Sequence, residues 1–265
     1  MEPFAPPPVP AGPAPRSLGQ ILDAGFDVVR RHWVVLVGLA ALVYVPVSFV
    51  EEVLPEDPSQ PFAGGAAWLL AFVIVALPVV IAAVTDACGD YHHGRETDAG
   101  RALRRGLGLA LPLSWTYLVL ALVAFVVLLP LFAVIAVWEP LGFAAVPVAL
   151  LAVALPFVVM LRFSLLTQVA VLEGRSGPGA LVRASRLVEG QVLRVFGVYV
   201  VVGLLMGLLG GAAGLALGTL AGLAPVAIGL VQAAGFAYTT AVGVVLYEDV
   251  RARKGEHERF AAPGS

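Results

Sequence analysis

Residues 195–217 read VFGVYVVVGLLMGLLGGAAGLAL and contain no charged side chain. About 20 consecutive apolar residues in a helix cross the hydrocarbon core of a bilayer, so this stretch predicts a transmembrane helix. The rest of the chain has the same character. Of its 265 residues, 60% are hydrophobic and 13% are charged, and that is about half the charged fraction of a soluble domain. The sequence therefore predicts an all-α integral membrane protein.

Six apolar stretches follow one another along the chain. They cover approximately residues 33–50, 66–85, 111–137, 144–171, 195–217 and 223–246. Each is close to or above the length that a membrane-spanning helix needs. The third and fourth are long enough to tilt in the bilayer. The sequence therefore predicts six transmembrane helices.

The positions of the basic residues predict an orientation for these helices. Of the 16 Lys and Arg residues, all except Arg162 lie before the first stretch, after the sixth, or in the connections between the second and third and between the fourth and fifth. The other three connections carry no Lys or Arg; acidic residues lie in the first and third connections, at Glu51, Glu52, Glu56, Asp57 and Glu139. Because basic connections stay in the cytoplasm, we expect a bacterial inner-membrane protein with both termini cytoplasmic.

An amphipathic segment precedes the first, third and fifth stretches. These segments begin at residues 17, 97 and 177, a constant spacing of 80 residues. The spacing predicts three parallel repeats, each an interfacial amphipathic helix followed by a transmembrane hairpin. The repeats cover about residues 17–96, 97–176 and 177–254 of a membrane domain at 17–254, with a disordered Pro/Ala-rich cytoplasmic tail at 1–16 and a flexible tail at 255–265.

Each amphipathic segment has apolar residues on one face and arginines on the other. We expect these segments to lie at the headgroups of the cytoplasmic leaflet, where a basic residue gains about 1 kcal/mol from anionic lipid. The alternative is that they are connectors only. The predicted headgroup contacts are Arg30, Arg31, Arg101, Arg104, Arg105, Arg183 and Arg186. A membrane protein or a second copy of the chain is the other partner to consider.

Residues 85–96 read TDACGDYHHGRE and hold the only cysteine and two of the 4 histidines. A catalytic zinc site needs about three rigidly held protein ligands with an outer shell that orients them. Here Gly89 and Gly94 loosen the segment, and the adjacent His92 and His93 point in different directions in a regular backbone. We therefore interpret the stretch as a solvated turn at the membrane surface, and we expect no metal and no cofactor.

Arg162 is the one basic residue inside a predicted span. A charge in a span is costly unless it pairs or reaches the interface, and such residues frequently mark function. Two interpretations stay open: a structural anchor, with Glu248 or Asp249 as its partner, or one wall of a polar pathway. The candidate intramembrane polar site comprises Arg162, Ser164, Thr167, Gln168, Gln232 and Thr239. Interhelical hydrogen bonding is the plainer explanation of its neutral members.

Glycines recur along the fifth span at four-residue spacing. One stripe holds Gly203, Gly207 and Gly211, and a neighbouring stripe holds Gly210, Gly214 and Gly218. Such spacing lets two helix backbones approach closely in a membrane. Because the sixth span follows after a short turn, we expect these glycines to pack against it.

Composition and motifs argue against several functions. A net charge of −2, without a basic and aromatic-rich patch, gives no support to nucleic-acid binding. The sequence contains no evident paired catalytic carboxylates, no nucleophile with a matching base and no glycine-rich phosphate loop after a strand. We therefore expect a protein that is not an enzyme, and we identify no catalytic residue.

Four segments together carry a family resemblance. They read SLGQILDAGFDVVRRHWVVLV, GRETDAGRALRRGL, LRFSLLTQVAVLEGRSGPGALVRASRLVEGQVLRVFG and VVLYEDVRARKGE. In this order they resemble the membrane domain named for glycerophosphoryl diester phosphodiesterases, a family with many stand-alone bacterial members. The resemblance implies a multi-pass fold and its topology. It does not imply phosphodiesterase activity, because hydrolysis in the full-length enzymes belongs to a separate soluble barrel domain.

Three functions remain under consideration. The favoured hypothesis is a non-enzymatic membrane protein that organises lipid or a partner protein at the cytoplasmic face. The second is a small-solute transporter or permease component with a polar path near Arg162. The third, an enzyme acting on lipid headgroups, needs an acid and a base, which only Asp86 or Asp90 with His92 or His93 could supply.

Overall fold

The computed structural model describes residues 16–53, 64–136, 146–217 and 223–256. Every regular element in these four ranges is a helix. The helices are α1 (Leu18–Val53), α2 (Gly64–His92), α3 (Ala99–Ala136), α4 (Val146–Arg162), α5 (Leu166–Leu172), α6 (Gly177–Val188), α7 (Val192–Leu217) and α8 (Ala224–Arg253). Nearly all of the two predicted tails lies outside the described residues.

Six stretches of this structure are long and apolar enough to cross a membrane. They are Leu18–Val50, Ile74–His92, Ala99–Leu129, Ala154–Leu172, Val192–Ala216 and Ala224–Arg253. Large apolar side chains such as Leu111, Leu204 and Leu208 are exposed along them, as expected for surfaces that face lipid. The predicted all-α fold with six helices of membrane-spanning length is confirmed.

The three amphipathic segments are built in three different ways. The first is the start of α1, which passes into the span through His32, a residue whose backbone is not helical (φ −124°, ψ 27°). The second is the start of α3, which runs as one helix from Ala99 to Ala136. The third is a separate helix, α6, followed by Gly190 at φ +79° and then by α7. The three-repeat organisation therefore stays a prediction.

Each of the three segments has apolar residues that pack against the rest of the bundle. In α6, Leu187 and Val188 are fully buried in a cluster that also contains Ile21 of α1 and Val245 of α8. Ala102 in α3 is fully buried in a second cluster. The apolar face of α6 is therefore covered by the bundle itself, and the predicted position of these segments at the lipid headgroups stays a prediction.

The helices form a nearly closed sequence of neighbours. Helix α1 contacts α2, α2 contacts α3, α3 contacts α4, α4 contacts α7, α7 contacts α8, and α8 returns to α1. The interface between α1 and α8 is the most extensive of these. Residues of α8 also belong to both of the larger buried clusters. The first and last helices of the chain therefore hold the bundle together.

Glycine permits close approach of helices at interfaces outside α7. A Cβ placed on Gly229 of α8 would lie 2.7 Å from the Cα of Val45 in α1. A Cβ on Gly106 of α3 would lie 2.5 Å from the carbonyl oxygen of Val79 in α2. Both neighbours are backbone atoms, which cannot move aside as a flexible side chain can. These glycines therefore set the distance between helices.

The glycines of α7 do not have this role. A Cβ added to any of five of them would meet no described atom within 4 Å: Gly203, Gly207, Gly210, Gly211 and Gly214. Gly218 lies outside the described residues. The predicted packing of these five against the sixth span is wrong, because α7 joins the cluster it shares with α8 nearer its start, through Val198 and Val202.

Candidate functional site at the charged end of the bundle

One end of the bundle, here called the charged end, gathers the ionisable side chains. It is formed by the C-terminal ends of α2, α5 and α8, the N-terminal ends of α1, α3 and α7, and helix α6. Ion pairs join these elements: Arg105 of α3 lies 3.1 Å from Asp86 of α2, and Arg194 of α7 lies 3.0 Å from Asp249 of α8. The basic segments identified in the sequence therefore meet at one end.

Arg183 of α6 lies between two carboxylates. Its Nε donates to both carboxylate oxygens of Glu173 at 3.0 Å, and its two terminal nitrogens donate to Glu256. Glu173 also accepts a hydrogen bond from the Tyr247 hydroxyl at 2.8 Å and pairs with Arg175 at 3.1 Å. The predicted headgroup contact of Arg183 is wrong, because every nitrogen of its guanidinium is directed at a protein carboxylate.

This pairing shifts the pKa values of both partners. The hydrogen bonds that Arg183 makes to Glu256 raise the pKa of the Arg183 guanidinium above its usual range. The same bonds lower the pKa of the Glu256 carboxyl. Both groups are therefore charged at neutral pH, and they tie the segment after α8 to α6.

Asp249 is the centre of a second network, which joins both ends of the described chain. It lies near the end of α8, and its side chain is almost completely buried. Its carboxylate accepts hydrogen bonds from Arg194 at 3.0 Å, from Arg253 at 2.9 Å and from the backbone N–H of Arg16 at 2.7 Å. The carbonyl oxygen of Arg16 in turn accepts from Arg194 and Arg253. Hydrogen bonds from guanidinium groups to a carboxylate are stronger than those between neutral groups, so Asp249 joins the start of the described chain to α7 and α8.

A cavity of about 500 Å³, here called the inner cavity, opens between the ends of α2, α3, α5 and α8. Its acidic lining residues are Asp86, Asp90, Glu173 and Glu248. Its basic lining residues are His93, Arg95, Arg105 and Arg251. Tyr247 and Leu172 complete the walls. The inner cavity is therefore a polar space with both signs of charge, next to the apolar body of the bundle.

A second cavity, here called the kink pocket, lies where the backbone of α1 departs from the helix. It measures about 470 Å³. His32, the non-helical residue, stacks on Tyr91 of α2 with ring centroids 3.6 Å apart. Arg31, His92 and Arg95 also line the pocket. Asp27 and Glu96 line it too, so the pocket beside the kink carries charges of both signs.

The stretch TDACGDYHHGRE is mostly helix, since α2 continues to His92. Cys88 is fully buried, so this thiol does not report on solvent exposure. His93 lies 3.6 Å from Glu248 in the inner cavity, whereas the Nε2 of His92 lies 3.5 Å from Arg16. The two histidines therefore contact different parts of the structure. Among the described residues, no group of three or more His, Cys, Asp or Glu is placed to hold a metal ion.

Arg162 lies at the end of α4, where the fourth span breaks into α4 and α5. Its guanidinium reaches the Ser185 hydroxyl of α6 at 3.5 Å. The predicted partners Glu248 and Asp249 pair with Arg251 and with Arg194 and Arg253 instead. If Arg162 is a structural anchor, its partner is therefore Ser185 and neither of the two predicted carboxylates. The break explains the difference, because it directs Arg162 toward α6.

The neutral members of the predicted polar site that lie near the break between α4 and α5 form hydrogen bonds with nearby groups. The Ser164 hydroxyl donates to the carbonyl oxygen of Leu161 at 2.8 Å, and the Tyr199 hydroxyl donates to the carbonyl oxygen of Ser164 at 3.1 Å. Thr167 shares a hydrogen bond with the Tyr117 hydroxyl at 2.8 Å. A broken helix in a membrane needs such donors for its freed carbonyls. These side chains therefore support the break between α4 and α5.

The remaining members of the predicted polar set lie apart. Gln168 is buried against Gly243, and its carbonyl oxygen has no hydrogen-bond partner in the described structure. Gln232 accepts a hydrogen bond from Ser48 at 3.3 Å. Thr239 donates to the carbonyl oxygen of Gly235 in its own helix. These residues and Arg162 line neither of the two cavities described above, and a single intramembrane polar site stays a prediction.

Sequence reasoning missed the acidic residues that organise the charged end. Glu173, Glu248 and Asp249 entered the sequence analysis only as parts of a resemblance or as partners of Arg162. A signal was present: all three are acidic residues beside segments rich in arginine. Carboxylates so placed are the natural partners of those arginines. Which arginine each one binds depends on the arrangement of the helices.

The comparisons with known proteins give a family and no activity. Residues 17–249 match the family described as "Domain of unknown function (DUF7847)". No curated protein matches the chain, and no solved structure matches it. The resemblance to the glycerophosphoryl diester phosphodiesterase membrane domain stays a prediction, since the matched family description does not mention it. Because the match extends over most of the sequence, the chain belongs to the family of the domain of unknown function DUF7847.

Proposed function

We propose that this protein is a non-enzymatic, multi-pass inner-membrane protein that binds anionic lipid at its charged end and organises the lipid around it. The proposal rests on the side chains that the charged end leaves exposed. It assigns no reaction. It also gives no pathway for a solute, because the polar side chains considered for one bind separate partners.

The outer face of α3 carries the proposal. Arg104, Leu107, Leu111 and Trp115 recur at helical spacing, and all four are exposed. The face therefore changes from a guanidinium to large apolar side chains within about three turns. A lipid presents the same sequence of chemistry, a charged headgroup followed by hydrocarbon. Arginine suits phosphate, and tryptophan is enriched at the membrane interface.

Helix α1 presents a second face of the same kind. Phe26, Arg30 and Trp33 are exposed within two turns. The kink pocket lies beside them, with Arg31 and Arg95 in its lining. Two helices of the charged end therefore combine exposed arginines with exposed aromatic residues.

The proposed headgroup contacts are fewer than the sequence alone predicts. Arg30, Arg31, Arg101, Arg104 and Arg186 are exposed. Arg105 pairs with Asp86 but remains more than half exposed, so its free donors still reach headgroups. Arg183 is left out because both of its partners are carboxylates of this chain.

We place the charged end, and with it both termini, on the cytoplasmic side. The support is the alternation in the sequence between connections that carry Lys or Arg and connections that carry neither. Cys88 is buried, so a reporter thiol at the exposed Glu189 is needed. In a Cys88→Ser background, Glu189→Cys should react with a membrane-impermeant maleimide in inverted vesicles and stay unlabelled in intact cells. Labelling of intact cells would reverse the orientation.

Lipid selectivity of the full chain in mild detergent tests the proposal, with native mass spectrometry as the measurement. We expect phosphatidylglycerol to be retained in preference to phosphatidylcholine, which has no net charge. At about 1 kcal/mol for each basic residue, the double variant Arg101→Gln/Arg104→Gln should bind phosphatidylglycerol roughly 30-fold more weakly. The matched variant Arg101→Lys/Arg104→Lys keeps the charge and should retain most binding. Equal binding of both lipids by the unaltered protein would contradict the proposal.

A further inference from the structure

The inner cavity shares Arg95 with the kink pocket and Arg105 with the proposed headgroup contacts, but its carboxylates take no part in those lipid contacts. Its volume of about 500 Å³ falls in the range of sites for small ligands. Its walls come from the consecutive helices α2 and α3 and, much later in the chain, from α5 and α8. The inner cavity is therefore a separate candidate binding site with its own chemistry.

Charge is layered from the floor of the inner cavity to its mouth. The carboxylates of Asp86 and Glu173 are each 6% exposed and that of Glu248 is 12% exposed. The guanidiniums of Arg95 and Arg105 are 66% and 57% exposed. Arg251 is buried as well, at 10% exposed, beside Glu248. A ligand therefore meets cationic groups at the exposed side of the cavity and mainly carboxylates in its buried part.

Glu248 differs from the other carboxylates in how well it is paired. Asp86, Asp90 and Glu173 each have a nitrogen within 3.1 Å. The nitrogens paired with Glu248 lie 3.5 Å and 3.6 Å away, on Arg251 and His93. These distances exceed the usual 2.7–3.2 Å of an N–H···O hydrogen bond. A largely buried carboxylate with long contacts only has acceptor capacity left for a ligand.

We propose that the inner cavity binds a zwitterion that carries a primary ammonium and an oxyanion. The ammonium binds Glu248 at the floor, because it offers a positive charge and three N–H donors. The oxyanion binds Arg95 and Arg105 at the mouth. Arg105 contacts Asp86 through Nε, so its terminal N–H groups remain for a phosphate or carboxylate, which guanidinium binds well.

This ligand chemistry has two sources. One is the headgroup of a lipid such as phosphatidylethanolamine, and the other is a free cytosolic solute. In both, a quaternary ammonium is a matched negative control, because methylation removes every N–H donor and keeps the positive charge. Phosphatidylcholine and phosphocholine are the corresponding probes.

Calorimetric titration of the detergent-solubilised full chain with phosphoethanolamine and phosphocholine tests the solute arm. Native mass spectrometry with phosphatidylethanolamine and phosphatidylcholine tests the lipid arm. We expect the primary ammonium to bind better in at least one arm, by about tenfold or more, the effect of a charge-assisted hydrogen bond. The arm that responds identifies the source. Failure to discriminate in both arms would overturn the proposal.

Variants assign the ammonium to Glu248. Glu248→Gln keeps the shape of the side chain and removes its charge, so discrimination between the primary and the quaternary ammonium should disappear. Glu189→Gln, an exposed carboxylate outside the cavity, is the control and should behave as the unaltered protein.

If Glu248→Gln fails to fold, Arg95→Gln provides the second test. Its side chain is at the surface, so folding should survive, and binding of the zwitterion should weaken by about tenfold. Unchanged binding in Arg95→Gln or in a folded Glu248→Gln would show that the ligand does not occupy this cavity. Anionic lipid binding at the outer faces is a separate measurement, so the two proposals can fail independently.

Discussion

Helices α7 and α8 are neighbours and both are apolar, yet they differ in how much of their surface is buried in the bundle. From Ala237 to Tyr247 almost every side chain of α8 is buried, whereas from Gly203 to Ala216 almost every side chain of α7 is exposed. Within the most apolar stretch of each helix, 56% of the residues are buried in α8 and 17% in α7. The more hydrophobic of the two is the one that faces outward.

The difference shows what selects a helix for the centre of a membrane protein. Lipid tails are as apolar as leucine, so burying a leucine in protein rather than lipid gains little. A helix is placed at the centre of the bundle by polar side chains that find no hydrogen-bond partner in lipid and by glycines that admit another helix. Helix α8 carries Tyr247 and Asp249, which bond inside the bundle, and Gly229, which admits α1. The described part of α7 beyond Val202 has no ionisable side chain.

The largest loss of stability is expected at Asp249, one of the polar groups that hold α8 inside the bundle. Asp249→Asn leaves Arg194 and Arg253 without their counter-charge near the end of α8. Loss of one partner of a buried ion pair costs about 3–5 kcal/mol. A thermal melt of the purified protein should show a much less stable variant. Glu189→Gln, an exposed carboxylate just before α7, should melt like the unaltered protein, and a similar loss in both would remove the distinction.

The next effect is at the glycines. Gly229→Ala places a methyl group against the backbone of α1, so we expect it to lose about 1–3 kcal/mol through overpacking. Gly207→Ala places the same group in open space and should change the melting temperature little. If Gly207→Ala were as damaging as Gly229→Ala, the exposed face of α7 would be a contact surface in the intact membrane.

The smallest expected effect on stability is at Glu256, which follows the end of α8. Because Arg183 lowers the pKa of Glu256, this carboxyl adds stability above its ordinary pKa of about 4.3, and the contribution is lost as the pH falls through the lowered folded value. We expect less than about 1 kcal/mol, since Glu256 is partly exposed. Glu256→Gln should therefore melt lower than the unaltered protein at neutral pH. The two melting curves should converge in acid.

Much of the architecture could be predicted because it depends on long runs of residues. The hydrocarbon thickness fixes how many consecutive apolar residues a crossing helix needs. The number of spans can therefore be counted from the sequence. The glycine prediction failed for a physical reason. Spacing shows that Gly203 and Gly207 can admit a neighbouring helix, but whether one packs there depends on how α7 and α8 meet in the assembled bundle, which no local pattern encodes. Gly229, which has no partner at four-residue spacing, was overlooked.

The candidate site could be predicted only in part. The basic segments indicated a charged end, but sequence spacing treats α6 as an isolated amphipathic helix. In the structure Arg183 reaches Glu173 and Glu256, residues before and far after it in the chain. The inner cavity likewise combines Asp86 with Glu248. Such pairs depend on which helices become neighbours, so they required the assembled bundle.

The union of α1 with α8 has a consequence for how the protein is made. Ribosomes add about 5–20 residues each second, so roughly 10–40 s separate the synthesis of these two helices. Throughout that time the face of α1 around Gly25 and Val45, which α8 later covers, sits in the membrane without its partner. The nascent chain therefore cannot complete its fold segment by segment. Assembly of the bundle is therefore complete only after its last helix is made, and a ribosome that stalls before α8 leaves the earlier spans in the membrane without the helix that joins them.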